Sequence, residues 1–122
     1  MAAHKPIKII LVEDDPTMQN VLRTLLEIEG YQVVPMSDRK REDEAIVFFK
    51  QETPDILLLD VHLLNINGID LLKRLRADSD LKDLRVVMTS GMDLKDQCLD
   101  AGANGFLLKP YMPDELMRML QS

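Results

Sequence analysis

Short apolar runs ending in acidic, hydroxylated or small residues alternate with stretches of helical spacing, and this alternation constrains the chain more than any other feature. Ile7 to Val12 stops at Glu13-Asp14-Asp15, Ile56 to Leu59 at Asp60, Val86 to Met88 at Thr89-Ser90-Gly91, and Gly105 to Leu108 at Lys109-Pro110. A weaker run, Tyr31 to Met36, makes a fifth. Apolar runs this short, without strict alternation, suit strands buried on both faces of a parallel sheet covered by helices.

The intervening stretches carry helical stripes. Asp15 is placed to cap a helix with Pro16 at its first position, followed by Met18, Val21, Leu22, Leu25 and Leu26, with Gly30 as the stop. Further stripes are Ala45, Ile46, Phe48 and Phe49; Ile69, Leu72 and Leu75; Leu94, Cys98, Leu99 and Ala101; and Leu116, Met117 and Leu120. Asp114, after Pro113, sets an acid near the start of the last helix. The polar run from Ser37 to Glu44 leads into the second helix. Five strand-plus-helix units in strict alternation predict an α/β doubly wound sheet, and 122 residues are one domain's worth.

Composition narrows the function classes. With 21 acidic residues against 15 basic, the net charge is -6, which opposes non-specific nucleic-acid binding. The single cysteine, Cys98, forms no internal disulfide and fits a reducing compartment. No apolar stretch approaches the roughly 20 residues that span a bilayer, and residues 1–6 lack a hydrophobic secretion segment. The expectation is a soluble, cytoplasmic, acidic domain.

In an open parallel sheet the working crevice lies beyond the carboxyl ends of the strands. The runs deliver Glu13, Asp14, Asp15, Asp60, Thr89, Ser90 and Lys109 to that rim. Clustered carboxylates raise one another's pKa unless a cation shares the site. Hard oxygen ligands with open positions favour Mg²⁺, and a carboxylate beside it can act as nucleophile and become an acyl phosphate. A lysine and a hydroxyl suit phosphoryl oxygens. Asp15 already serves as a cap, leaving Glu13 and Asp14 unexplained by capping, and a lone Asp60 after four aliphatics is a costly place for charge unless paired.

Taken in order, ILVEDDP, PDILLLD, TSG and AGANGFLLKP make the chain resemble a response-regulator receiver domain of two-component signalling, in the chemotaxis-regulator-like superfamily. The resemblance covers nearly the whole chain. It implies a (βα)5 flavodoxin-like domain over residues 1–122, with strand order 2-1-3-4-5 and no output domain in the chain. It implies Asp60 as phosphoacceptor, Asp14 as direct Mg²⁺ ligand, Glu13 as a ligand through water, and the backbone carbonyl of His62 as a further ligand. Ser90, 30 positions after Asp60, matches the switch hydroxyl, with Thr89 the alternative if the register slips by one. Lys109 matches the phosphoryl-contacting lysine with a cis bond to Pro110, and Phe106 the aromatic switch residue.

The implied function is a phosphorylation switch, not an enzyme turning over substrate. A histidine kinase or phosphotransfer protein donates to Asp60, and the face of the fourth helix, fifth strand and fifth helix passes the signal to an effector or a fused output domain. Neither direct nucleic-acid contact nor membrane contact is implied, and the chain is expected as a monomer or weak homodimer. It reads equally as a single-domain regulator or a receiver excised from a larger protein.

Other classes fit less well. A Mg²⁺-dependent aspartyl-nucleophile phosphohydrolase usually has a second acid two residues after the nucleophile, where this chain has His62. A non-phosphorylated receiver-like scaffold has no need of all five rim residues. A flavin binder wants a Ser/Thr/Gly-rich loop after the first strand. Leu64 departs from the family's proline, His62 is unusual at its position, and the stretch from Ser90 to Ala101 is short. Phe106 fits plain packing at least as well as a moving switch, His62 reads foremost as a surface side chain, and Cys98 as a small buried hydrophobe. Arg39-Lys40-Arg41 reads as a solvated face; His4 carries no signal. Met112, Met117 and Met119 offer only a weak hint of an adaptable interface.

Overall fold

Each apolar run becomes a strand that pairs in parallel with another, because stretches apolar on both sides have to be covered on both sides. A computed structural model describes residues 5–36 and 40–121; His4 and Arg39 lie outside them, as does the start of the polar run before the second helix. The order is β1 (Lys8–Val12), α1 (Pro16–Ile28), β2 (Gln32–Pro35), α2 (Glu42–Glu52), β3 (Ile56–Asp60), α3 (Gly68–Arg76), β4 (Arg85–Ser90), α4 (Lys95–Asp100), β5 (Gly105–Leu108) and α5 (Pro113–Gln121). The five strands form one parallel sheet in the order β2-β1-β3-β4-β5, the expected flavodoxin-like topology.

Alternate strand residues feed two cores. Ile10, Val12, Leu57, Leu59, Val86 and Met88 pack against α2, α3 and α4 through Phe49, Leu72, Leu75 and Cys98. Ile9, Leu11, Ile56, Leu58 and Val87 pack against α1 and α5 through Leu22, Leu26, Leu116 and Leu120. Asp15 caps α1 as expected, accepting from the Thr17 amide at 2.9 Å, and Gly30 supplies the positive φ that turns the chain into β2.

Two stripes are wider than the faces that get buried. On α1 the sheet-facing line is Leu22 and Leu26, so Met18 and Val21, expected in the core, stand exposed, and with Leu25 they line a groove toward α5. α4 is only six residues long, in keeping with its short sequence segment. Cys98 takes its inward line and is fully buried, which leaves Leu99 on an exposed flank. β4 runs through Thr89 and Ser90, which the sequence placed beyond its end; the ladder pairs them with Asp60 and Leu108.

Arg76, at the end of α3, ties the loop before β5 in place. Its Nε donates to the Gly102 carbonyl at 2.9 Å, Nη1 to Leu84 at 2.6 Å and Nη2 to Asn104 Oδ1 at 2.9 Å. Asn104 Oδ1 also accepts from the Val86 amide, so one guanidinium links helix, loop and strand.

Gly68 begins α3 directly against the turn that follows Asp60. A Cβ there lies 2.8 Å from the Val61 Cα, a contact with backbone that cannot swing away. Gly68→Ala is expected to cost about 1–3 kcal/mol of stability as overpacking. Gly105→Ala meets only the flexible Met119 side chain and costs clearly less. Urea unfolding of the two variants checks the contrast.

Candidate functional site

Register alone assembles the rim. Val12 lies opposite Leu59, so Glu13 and Asp60 are the next pair outward, and Asp60 itself lies opposite Thr89. Ser90 pairs with Leu108, and the Lys109 amide donates to the Ser90 carbonyl at 2.8 Å. The Lys109–Pro110 bond is cis. Three strands of a parallel sheet thereby present two acids and one amine to the same few ångströms.

Lys109 Nζ donates to Glu13 Oε1 at 2.8 Å, Glu13 Oε2 at 3.0 Å and Asp60 Oδ2 at 2.8 Å. Asp60 Oδ1 accepts from the His62 amide at 3.2 Å, and Glu13 Oε2 from the Asp14 amide at 3.0 Å. Both bridged carboxylates are almost wholly buried, at 5% exposure for Glu13 and 4% for Asp60, while Asp14 is exposed. Burial pushes Glu13 up to about 8, and contact with Asp60 adds to the push against the pull of Lys109. Burial also raises Asp60, but its hydrogen bonds with Glu13 and Lys109 outweigh it and hold its carboxyl below the ordinary range. Lys109 is desolvated, yet its two acidic partners keep it firmly charged. One ammonium group thus serves two buried acids whose pKa values are pushed in opposite directions.

Glu13, Asp14 and Asp60 also place ligand oxygens within 4.8 Å of one another. An all-oxygen set of three carboxylates suits a hard divalent cation. Asp14, exposed beside two buried partners, is the open side of that set.

Phe106 is partly buried and packs against the edge of the larger core. Ser90 is fully buried, and its Oγ accepts from the Met92 amide at 3.0 Å. Thr89 is buried beside it on the adjacent strand position. His62 has an exposed side chain, and its bridge to Asn67 closes the loop after Asp60. Although Leu64 replaces proline, that loop is pinned by buried Ile66, by the Gly68 amide donating to the Val61 carbonyl at 2.7 Å, and by Asn67 capping α3.

Two features escaped the sequence reading. Gly68 permits the close approach of α3 to Asp60, and its signal, a glycine at a helix start, is too common to stand out. Tyr111 places a buried hydroxyl without a hydrogen-bond partner among the described residues. Burial, then the nearby Glu13 charge, pushes this phenol up to about 12. Met18, Val21, Leu25, Lys109, Pro110 and Tyr111 line a groove of about 430 Å³ that opens beside the rim.

An acid pair, a central-strand aspartate and a lysine thus meet at one end of a doubly wound sheet, where such sheets carry their working crevice. The sequence matches the response regulator receiver domain family over residues 9–121. The nitrate/nitrite response regulator protein homolog of Haemophilus influenzae is 33% identical over 119 residues, which cover 94% of this chain and 55% of that protein. The DNA-binding response regulator MtrA of Mycolicibacterium smegmatis is 32% identical over 117 residues, covering 94% and 47%. The receiver domain of a Pseudomonas aeruginosa sensor histidine kinase, solved with magnesium coordinated in its active-site cleft, is 28% identical with a TM-score of 0.82 over 96% of each chain. This chain belongs to the response-regulator receiver family and is a receiver domain of the two-component type. It spans about half the length of these curated relatives. No helix among the described residues is long and apolar enough to cross a membrane.

The raised Glu13 sets a pH window. The folded, cation-free chain holds a proton that the unfolded chain releases near 4.5, so the associated stability is present below pH 4.5 and lost as pH climbs to about 8. In EDTA, wild type is expected to lose stability relative to Glu13→Gln across that window; urea midpoints at both ends read the difference.

Proposed function

We propose that Asp60 is the phosphoacceptor of a two-component or phosphorelay switch, taking the phosphoryl group of a phosphohistidine on a histidine kinase or phosphotransfer protein. The observation that carries this reading is the Lys109 bridge to buried Asp60 and Glu13, with Asp14 alongside. An Asp60 oxygen attacks phosphorus as the phosphorus–nitrogen bond breaks, giving an acyl phosphate and free histidine. Asp14, Asp60, Glu13 through water and the His62 carbonyl would hold Mg²⁺, which supplies charge neutralisation at the phosphoryl oxygens.

This chain's own residues do the rest. Lys109 exchanges one carboxylate partner for a phosphoryl oxygen. Ser90 turns its hydroxyl from the Met92 amide toward the new group, which adds about -1.5 to -2 charge and three acceptors. Thr89 is the alternative hydroxyl. Those movements pull on the ends of β4 and β5, and Phe106 follows, re-setting the α4–β5–α5 face that an effector or output domain reads. A shift of a few kcal/mol suffices for such a switch. A cytoplasmic setting goes with such a donor.

The groove between α1 and Tyr111 supports the donor side of the reading. Lys109 belongs to both groove and rim, so a helix seated against Met18, Val21 and Leu25 brings its histidine to Asp60.

Intact mass after acetyl phosphate and Mg²⁺ is expected to rise by one phosphoryl group, about 80 Da, in wild type. The rise is absent with EDTA and in Asp60→Ala; labelling of Asp60→Ala would refute the assignment. Val21→Asp is expected to leave acetyl phosphate labelling intact and slow transfer from a phosphohistidine protein about tenfold, by spoiling an apolar contact.

A further inference from the structure

We infer that Tyr111 is a positioning residue for the phosphorylated state: once Lys109 turns to the phosphoryl group, the Tyr111 hydroxyl donates to Glu13 and holds it in place. This rests on the switch proposed above and adds a member to its machinery. Tyr111 lies two residues beyond Lys109, ahead of α5. Its ring packs against the core that α1 and α5 share and lines the groove with Met18, Leu22, Leu25 and Leu116. The hydroxyl is closed to solvent and has no hydrogen-bond partner among the described residues. A buried donor left unpaired is costly, and folded chains pair nearly every such group.

The surroundings determine where a partner can be. Every other residue lining the groove is aliphatic, methionine or proline except Lys109, and an ammonium group only donates. Acceptors lie past Lys109, at the rim. Beyond burial, the charges that act on the phenol are, in order of strength, Glu13, Lys109 and Asp60. In the proposed switch Asp60 carries the phosphoryl group, which leaves Glu13. Its Oε1 is held by Lys109 at 2.8 Å, whereas Oε2 takes both Lys109 at 3.0 Å and the Asp14 amide at 3.0 Å. When Lys109 turns away, Oε1 is the oxygen short of a donor, in a residue only 5% exposed. Tyr111 shares the groove wall with Lys109 and carries a spare donor. Two buried groups, each unpaired in one state, then satisfy each other, which favours the phosphorylated state.

The chain has two tyrosines and no tryptophan, so Tyr31→Phe leaves Tyr111 as the one tyrosine that emits. A phenol bonded to a carboxylate loses emission, because its excited state gives up its proton to the acceptor. Acetyl phosphate with Mg²⁺ is expected to lower that emission below its level in Mg²⁺ alone, in step with the mass gain, and not in Asp60→Ala. Lys109→Met, which frees Glu13 without any phosphoryl group, should lower it too, and adding Glu13→Leu should restore it. In Tyr111→Phe the urea midpoint of the unlabelled chain should stay at or above wild type, since the ring remains and only an unpaired oxygen is lost. The steady-state ratio of labelled to unlabelled chain should fall about tenfold at limiting acetyl phosphate, as expected for loss of one hydrogen bond to a charged group. A lower midpoint would show the hydroxyl already paired at rest and overturn the inference, as would a loss of emission in Lys109→Met that survives Glu13→Leu. Normal labelling with constant emission sinks this inference alone. Without labelling the switch falls, and the Lys109→Met pair still reads the Tyr111–Glu13 contact by itself.

Discussion

One ammonium group between two buried carboxylates holds the working end of this molecule together. Lys109 reaches Glu13 on one strand end and Asp60 on another, and three of its hydrogen bonds lie between 2.8 and 3.0 Å. Without it, the buried carboxylates would face each other with little water to screen them, a far costlier state than a paired one. Lys109 pulls both acids down: at Asp60 it helps outweigh burial, whereas at Glu13 burial and the contact with Asp60 prevail. A buried carboxylate held below its ordinary range is what the proposed phosphoacceptor role of Asp60 requires.

The bridge works only because the sheet is parallel and in register. β1, β3 and β5 end at one edge, and the side chains one step beyond their last apolar residues meet there. Two tight contacts keep the edge in place from below. Gly68 lets α3 approach the Asp60 turn, and Arg76 ties the end of that helix to the loop leading into β5. Asp60 and the loop into the outer strand are thus both held by α3.

Two grooves flank that frame, and they differ in lining. The α1–Tyr111 groove is walled mainly by aliphatic side chains and touches the rim directly through Lys109. The groove over β5 is lined by Phe106, Leu108 and Met119 with one acid, Glu115, and one base, Arg118, and it joins the rim through β5, which ends just before Lys109.

Most of the architecture could be read from the chain because its information is local. Apolar runs of four to six residues ending at Asp60 or Lys109, and caps such as Asp15-Pro16, determine element type and which residues reach the strand ends. Sequence periodicity could not say which side of a wide helical stripe is buried. Met18, Val21 and Leu99 share the spacing of core residues, and only the packed sheet left them outside. The partners of Lys109, the close approach at Gly68 and the unsatisfied Tyr111 hydroxyl likewise belong to the tertiary structure. They join groups up to 96 residues apart, and such contacts exist only once the strands have found their register.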